Sequence, residues 1–251
     1  MMISFVASSA PKSQDALTQL SSKYLAVETD EADVIVAIGG DGHMLEVMHK
    51  FVNSGKPIYG INCGTVGFLM NNIGDKDLIE CINSAIKHTI NPLEMIVTDT
   101  NDNTQRSLAF NEVSLLRNSG QAIHLKISVQ DKVRLEKLVC DGALVCTPAG
   151  STAYNLSAHG PVLPIHSKSL ALTPISPFTP RRWRGAILPM DADITFEALD
   201  ADKRPVIATA DNTDAKHVKT VHIKTSAKDS IIIMTDAEHD LEERIIAEQF
   251  M

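Results

Sequence analysis

Aromatic side chains are scarce, at 4% of the 251 residues. Aliphatic groups must therefore fill any core, and the 44% apolar content is enough for one large or two modest domains. Cations are also in short supply. With 23 Lys and Arg against 31 Asp and Glu, the net charge is −8. This argues against non-specific binding to nucleic acid or to an anionic membrane. A polyanionic substrate would need local help from backbone amides, a metal cation or a few Lys and Arg. The 4 cysteines, Cys63, Cys81, Cys140 and Cys146, show no CxxC spacing. That excludes a disulfide framework and predicts reduced thiols in a cytoplasmic protein. No run approaches the ~18 apolar residues of a membrane span. The opening Met1–Ala7 lacks the basic region of a signal peptide. The scattered histidines, such as His49, His88 and His222, show no metal-ligand spacing.

The first ninety or so residues alternate strand and helix signals. Ile3–Ala7 reads as a strand and Ser13–Tyr24 as a helix. Asp33–Ile38 is a continuous apolar run, as in a strand buried on both faces. Gly42–Asn53 reads as a helix with Met44, Leu45, Met48, Phe51 and Val52 on one face, and Pro57–Ile61 as a third strand. Asp75–His88 reads as a helix with Leu78, Ile79, Ile82 and Ile86 in a stripe. This rhythm predicts a doubly wound, parallel α/β domain over residues 1–91. From Asn91-Pro92 to Met234 the runs become short and β-branched, among them Ser107–Arg117, Leu138–Cys146 and Ile231–Met234. That pattern predicts a β-sandwich over 92–234. Glu238–Phe250 returns to helical spacing, so segment 235–251 is expected to fold back on the first domain. The default ligand site is a cleft between the two domains.

Chemistry concentrates in a few segments. Gly39-Gly40-Asp41-Gly42 directly follows the buried strand. Bare glycine amides at a helix start suit a phosphate, although a glycine pair after a strand is also a common tight turn. Asp41 lies at the carboxyl end of that strand, where open α/β sheets bind ligands. A carboxylate there repels an anion unless a metal intervenes or the acid takes a proton from an attacking hydroxyl, and both readings point to phosphoryl transfer. The loop matches neither GxxxxGK[ST] nor GxGxxG. Gly60–Phe68 is a second glycine-rich segment, either a flexible connection or a lining of the same crevice. Asn111-Glu112 sits inside a strand run, as a solvated edge or as a reader of a sugar hydroxyl or base edge. Asp141-Gly142 interrupts another run, a sign of a bulge or a close backbone approach. Thr147–Ser157 is a turn and short helix crowded with hydroxyls, where Ser151 or Thr152 would serve as an N-cap.

Taken in order, Gly39–Gly42, Asn111-Glu112 and the run Asp141-Gly-Ala-Leu-Val-Cys-Thr-Pro-Ala-Gly-Ser-Thr-Ala-Tyr-Asn-Leu-Ser-Ala-His-Gly-Pro161 resemble the NAD kinase family. The resemblance covers nearly the whole chain. It implies an α/β domain followed by a β-sandwich, with the chain end returning to the first domain. It implies phosphorylation of the adenosine ribose 2′-hydroxyl of NAD to give NADP. The donor would be ATP or polyphosphate, with Mg²⁺ or another divalent cation, in a homodimer or homotetramer. Asp41 would match the catalytic acid that takes the hydroxyl proton. Gly42 would approach the same ligand and Phe68 would wall the pocket. Asn111 and Glu112 would grip the nucleotide, and Asp141 would add a polar contact. Thr152, Ala153, Tyr154, Asn155 and Ser157 would line the nucleotide site, with Tyr154 against a ring.

The chain departs from the family pattern at several positions. His43 stands where Thr or Ser is usual, Ala149 replaces Thr or Gly, and His159 replaces Gly and calls for an unusual backbone angle. Ser176, counted with the substrate contacts, stands where Ala is frequent. Asp211-Asn212 replaces Asp-Gly, which leaves the role of Asp211 open. Arg181-Arg182-Trp183-Arg184 is more basic than usual and reads either as a surface turn or as an anion or subunit contact. Two alternatives stand beside the kinase reading: a lipid kinase of the diacylglycerol type, which shares the glycine loop, and a non-catalytic dinucleotide-binding sensor.

Overall fold

The computed structural model describes residues 1–64, 67–74 and 76–237. The helix expected over Glu238–Phe250 lies outside the described residues. The chain divides into two compact units, Met1–Asn91 with Lys228–Met251, and Pro92–Ala227.

In chain order the first unit runs β1 (Ile3–Ala7), α1 (Pro11–Lys23), β2 (Val34–Gly39), α2 (Asp41–Lys50), β3 (Pro57–Asn62), α3 (Leu78–Ser84) and β4 (Ile86–Ile90). The second runs β5 (Leu93–Asp99), β6 (Thr104–Ala109), β7 (Glu112–Arg117), β8 (Ile123–Val129), β9 (Lys132–Cys140) and β10 (Gly142–Cys146). It continues through a 3₁₀ turn (Ala149–Thr152), α4 (Tyr154–Ser157), β11 (Ser169–Ile175), β12 (Ala186–Pro189), β13 (Ile194–Leu199), β14 (Val206–Ala210), β15 (Thr213–Ala215) and β16 (Val218–Thr225). Finally β17 (Ile231–Thr235) belongs to the first unit.

The first unit holds a five-stranded sheet in the order β1-β2-β3-β17-β4. The first four of these run parallel and β4 is antiparallel to β17. β2 is buried along its whole length, as its unbroken apolar run requires. Pro11 opens α1, where its missing N–H costs nothing. α2 buries Met44, Val47 and Met48 and ends at Lys50, so Phe51 and Val52 lie beyond it.

Two expectations change here. The helix read over Asp75–His88 is two elements. Asp77 accepts the amides of Ile79 and Glu80 at 3.0 and 3.2 Å and so starts α3. The backbone turns extended at Ala85, and Ile86–Ile90 is a strand paired with β17. Long-range pairing overrides the helical spacing of Ile86. Residues 231–234, read as part of the sandwich, instead fill the first sheet between β3 and β4 together with Thr235. Side chains fix that strand in place. Tyr59 donates to Asp236 at 2.5 Å, Asn71 donates to the Met234 carbonyl at 3.0 Å, and the Asp236 amide donates to Asn71 at 3.0 Å.

The second unit is a sandwich of two six-stranded antiparallel sheets, β12-β11-β10-β7-β14-β15 and β6-β5-β16-β13-β8-β9. One core takes residues from both, including Val113, Leu115, Val145 and Leu172 from the first and Leu125, Ile194, Phe196 and Val221 from the second. The two long runs expected over Ser107–Arg117 and Leu138–Cys146 each break and change sheet, at Phe110-Asn111 and at Asp141. Gln130 and Asp131, both at positive φ (54° and 58°), make the hairpin between β8 and β9. Among the described residues no helix is long and apolar enough to cross a membrane.

Candidate active site

In the first unit the strand-to-helix junction brings both glycine segments together. Gly39 pairs with Asn62 in the sheet, and the Cys63 amide donates to the Gly39 carbonyl at 2.7 Å. Asp41 is the first residue of α2, and its two carboxylate oxygens accept the amides of Phe68 and Leu69 at 3.0 and 2.9 Å. The second segment is therefore held against Asp41.

None of the three glycines takes a left-handed backbone angle. Gly39 is required because a Cβ would fall 2.8 Å from the His43 Cβ and 2.9–3.0 Å from its ring carbons. Gly40 and Gly42 face open space within 4 Å. Their missing side chains leave room for another molecule to reach the backbone at a helix start. Both ring nitrogens of His43 have partners within the first unit. Its Nε2 donates to the Val6 carbonyl at 3.0 Å, and its Nδ1 lies 3.3 Å from Glu46.

In the second unit, Asn111-Glu112 lies at the corner where the chain passes from β6 to β7. The Asp211 carboxylate accepts the successive amides of Phe110, Asn111 and Glu112 at 2.7, 3.0 and 3.2 Å. These amides lie where the ladder is interrupted, and the carboxylate supplies the missing acceptors. The 3₁₀ turn packs on the same corner. The Thr147 hydroxyl donates to the Phe110 carbonyl at 2.6 Å, and a Cβ on Gly150 would fall 2.2 Å from the Asn111 carbonyl oxygen. Glu112 Oε2 is buried with no hydrogen-bond partner among the described residues. Burial first, and the negative charge of Asp211 second, push the Glu112 carboxyl up to about 7. Burial and the Glu112 charge also raise Tyr154, and they push the Cys146 thiol up to about 12.

The remaining predicted site residues separate. Thr152 is buried, Ala153 and Tyr154 are half-buried, and Ser157, seven residues beyond Gly150, is exposed. Asn155 is fully buried and spent on structure. Its amide donates to the Ser151 and Pro161 carbonyls at 3.0 and 2.9 Å, and its oxygen accepts the Thr173 hydroxyl at 2.7 Å. Ser151 does not cap a helix; its hydroxyl donates to the Pro148 carbonyl and accepts the Leu163 amide.

Asp141 stands apart from Glu112. Glu112 pairs with Cys146, while Asp141 adjoins Gly142 at the opposite end of β10, five residues or about 17 Å along the strand at ~3.3 Å per residue. Its carboxylate is paired with Arg117 at 2.8 Å. The close approach expected at Gly142 is present, since a Cβ there would fall 2.4 Å from the Leu115 carbonyl oxygen. Ser176 follows β11 at φ 48°, and His159 has the left-handed angle its position called for, φ 60°. Among the described residues no group of three or more His, Cys, Asp or Glu can hold a metal.

This pairing of an α/β unit, whose glycine loop carries one carboxylate, with a β-sandwich bearing a Gly-Ser-Thr turn matches one family along most of the chain. The ATP-NAD kinase amino-terminal domain model matches residues 4–90, and the ATP-NAD kinase carboxy-terminal domain model matches residues 110–235. The chain belongs to the NAD kinase family. It is 53% identical over 248 residues to the NAD kinase of Caulobacter vibrioides, covering 99% of this chain and 95% of that one. It is 51% identical over 248 residues to that of Rhizobium meliloti, covering 99% and 96%. The fold is that of yeast NADH kinase complexed with NADH, with a TM-score of 0.81 at 20% identity over 100% of this chain and 87% of that one. It is likewise that of an NAD kinase from Archaeoglobus fulgidus in complex with ATP, with a TM-score of 0.79 at 23% identity over 99% and 98%.

Proposed function

We propose that the protein phosphorylates the 2′-hydroxyl of the adenosine ribose of NAD to give NADP, with ATP or inorganic polyphosphate as donor. The observation that carries this reading is the match of both kinase domain models in order along the chain. The lipid-kinase and sensor alternatives are not favoured by relatives that are NAD kinases over their whole length.

A ribose hydroxyl is a weak nucleophile, and its attack needs placement, neutralised phosphate charge and a proton acceptor. Asp41 is the proton acceptor. A carboxylate offers about four lone-pair directions, and the Phe68 and Leu69 amides use two of them. The bond from the ribose oxygen to the terminal phosphorus forms as the bond to the donor's bridging oxygen breaks, and Asp41 takes the hydroxyl proton. Gly42 and Phe68 border the acceptor. Asn111 and the orphaned Oε2 of Glu112 bind polar atoms of the nucleotide, supported by the burial of that oxygen without a partner among the described residues. Tyr154 packs on a ring, and Thr152, Ala153, Ser157 and Ser176 line the site. Asn155 holds the turn from within. Asp141, at the far end of its strand, is the weakest member of the predicted set.

A divalent cation such as Mg²⁺ fits this donor set only as a partner of substrate phosphates plus one carboxylate. When bound it neutralises phosphate charge. A cytoplasmic homodimer or homotetramer belongs to the same reading, and light scattering tests the oligomeric state.

The deciding assay mixes the protein with NAD, Mg²⁺ and either ATP or polyphosphate and reads NADP with an NADP-specific dehydrogenase. NADP forms with at least one donor. Asp41→Asn lowers turnover by ~10²–10⁴ while NAD still binds. Turnover of that variant at the parent rate would remove Asp41 from its role.

A further inference from the structure

Of the seven arginines in the second unit, two are ion-paired with carboxylates and, among the described residues, Arg134, Arg181, Arg182, Arg184 and Arg204 are not. Arg106 is paired with Glu94, and Arg117 with Asp141. Arg181, Arg182 and Arg184 have no carboxylate within ion-pair distance among the described residues. Arg181 instead lies over the Phe178 ring, 4.7 Å from its centre.

These three arginines line one cavity of about 610 Å³ together with His159, Ser176 and Trp183. No acidic side chain lines it among the described residues. All three arginines are solvent-exposed, so the feature that singles this hollow out is that three guanidinium groups and no carboxylate among the described residues line it. The walls are also strained. His159 and Ser176 stand at φ 60° and 48°, in the left-handed region. Gly185, next to Arg184, is at φ 97°, and a Cβ there would fall 2.0 Å from the Leu172 carbonyl oxygen. Trp183 packs against the sandwich core, which anchors the Arg-rich turn.

We propose that this hollow is a binding site for an oligophosphate anion, either the phosphate tail of a nucleotide or an inorganic polyphosphate chain. Guanidinium forks match phosphate oxygens with paired, charge-assisted hydrogen bonds. The volume suits a ligand of several phosphate groups. The proposal goes beyond the kinase reading, since it concerns binding at these arginines whichever acceptor is phosphorylated.

Trp183 is the sole tryptophan of the chain, so its fluorescence reports the cavity directly. The full-length protein is titrated with tripolyphosphate and, separately, with ADP, following Trp183 emission and heat. Saturable binding that changes the emission is expected. Arg182→Ala with Arg184→Ala weakens it about tenfold or more, and Arg182→Glu does the same, since each loses charged hydrogen bonds. Arg182→Lys with Arg184→Lys, which keeps the charge and serves as the folding control, binds between the two. Tighter ADP identifies a nucleotide as occupant; equal or tighter tripolyphosphate identifies the phosphate chain. Absence of saturable emission change with both ligands, or binding indifferent to the arginine substitutions, overturns the site. NADP formation measured on the same samples keeps the two readings apart, because a protein that makes NADP without this binding loses only the cavity.

Discussion

Asp211 accepts the amide of Asn111 at 3.0 Å across 100 residues of chain. The flanking amides of Phe110 and Glu112 share the same carboxylate, so one side chain shapes the corner that presents Asn111-Glu112. Asp211→Ala strands these donors, at ~1–3 kcal/mol for each buried one left unpaired. The expected result is a lower melting temperature and a KM for NAD raised about tenfold, with kcat less affected. The same change removes a negative charge beside Glu112, so any limb of the pH-rate profile owed to Glu112 moves to lower pH. Asp211→Asn keeps one acceptor oxygen and falls between.

Glu112 makes stability depend on pH. Its carboxyl rises from 4.5 to about 7 on folding. Between those values the folded chain holds a proton that the unfolded chain has released. The group's contribution is therefore complete below pH 4.5 and is lost as pH rises through 7. The span amounts to roughly 3–3.5 kcal/mol. Glu112→Gln is expected to gain stability relative to the parent at pH 8 but not at pH 5. Urea unfolding at the two pH values measures this, and an equal difference at both would refute it.

Gly150 tests the contact between the turn and the Asn111 corner. An alanine methyl would sit 2.2 Å from the Asn111 carbonyl oxygen and 2.5 Å from its Cα, both of them backbone atoms. Gly150→Ala is expected to cost ~1–3 kcal/mol through forced displacement. It should also raise the KM for NAD, whereas Gly42→Ala, with open space around it, leaves stability unchanged within ~0.5 kcal/mol and acts on catalysis alone.

The thiols should separate by burial. Burial pushes Cys140 and Cys146 up to about 12 and also raises Cys81, while Cys63 is partly exposed at the end of β3. Iodoacetamide on the native protein is expected to alkylate Cys63 and leave the other three until the chain is unfolded. Peptide mass spectrometry reads the sites.

Local features were legible in the sequence. The buried run before Gly39 announced β2, glycine inside a strand run announced the close approach at Gly142, and His159 in a glycine position announced its left-handed backbone. Partnerships across the chain were not. Nothing near Asn111 points to Asp211, and hydroxyl crowding at Thr152–Ser157 does not reveal that Asn155 faces inward to Thr173. Periodicity favoured helix at Ile86, where pairing with residues 231–235 made a strand. The neighbours of β17 are set by a sheet order that leaves no local trace.

That late strand governs how the protein can be made. β3 and β4 meet only through β17, whose residues emerge from the ribosome after the entire sandwich has been translated. A nascent chain of about ninety residues therefore carries a glycine loop on an unfinished sheet with open edges. The first unit should mature only after translation has nearly ended, so stalling or truncation before Ile231 leaves a chain that cannot assemble its Asp41 loop on a completed scaffold.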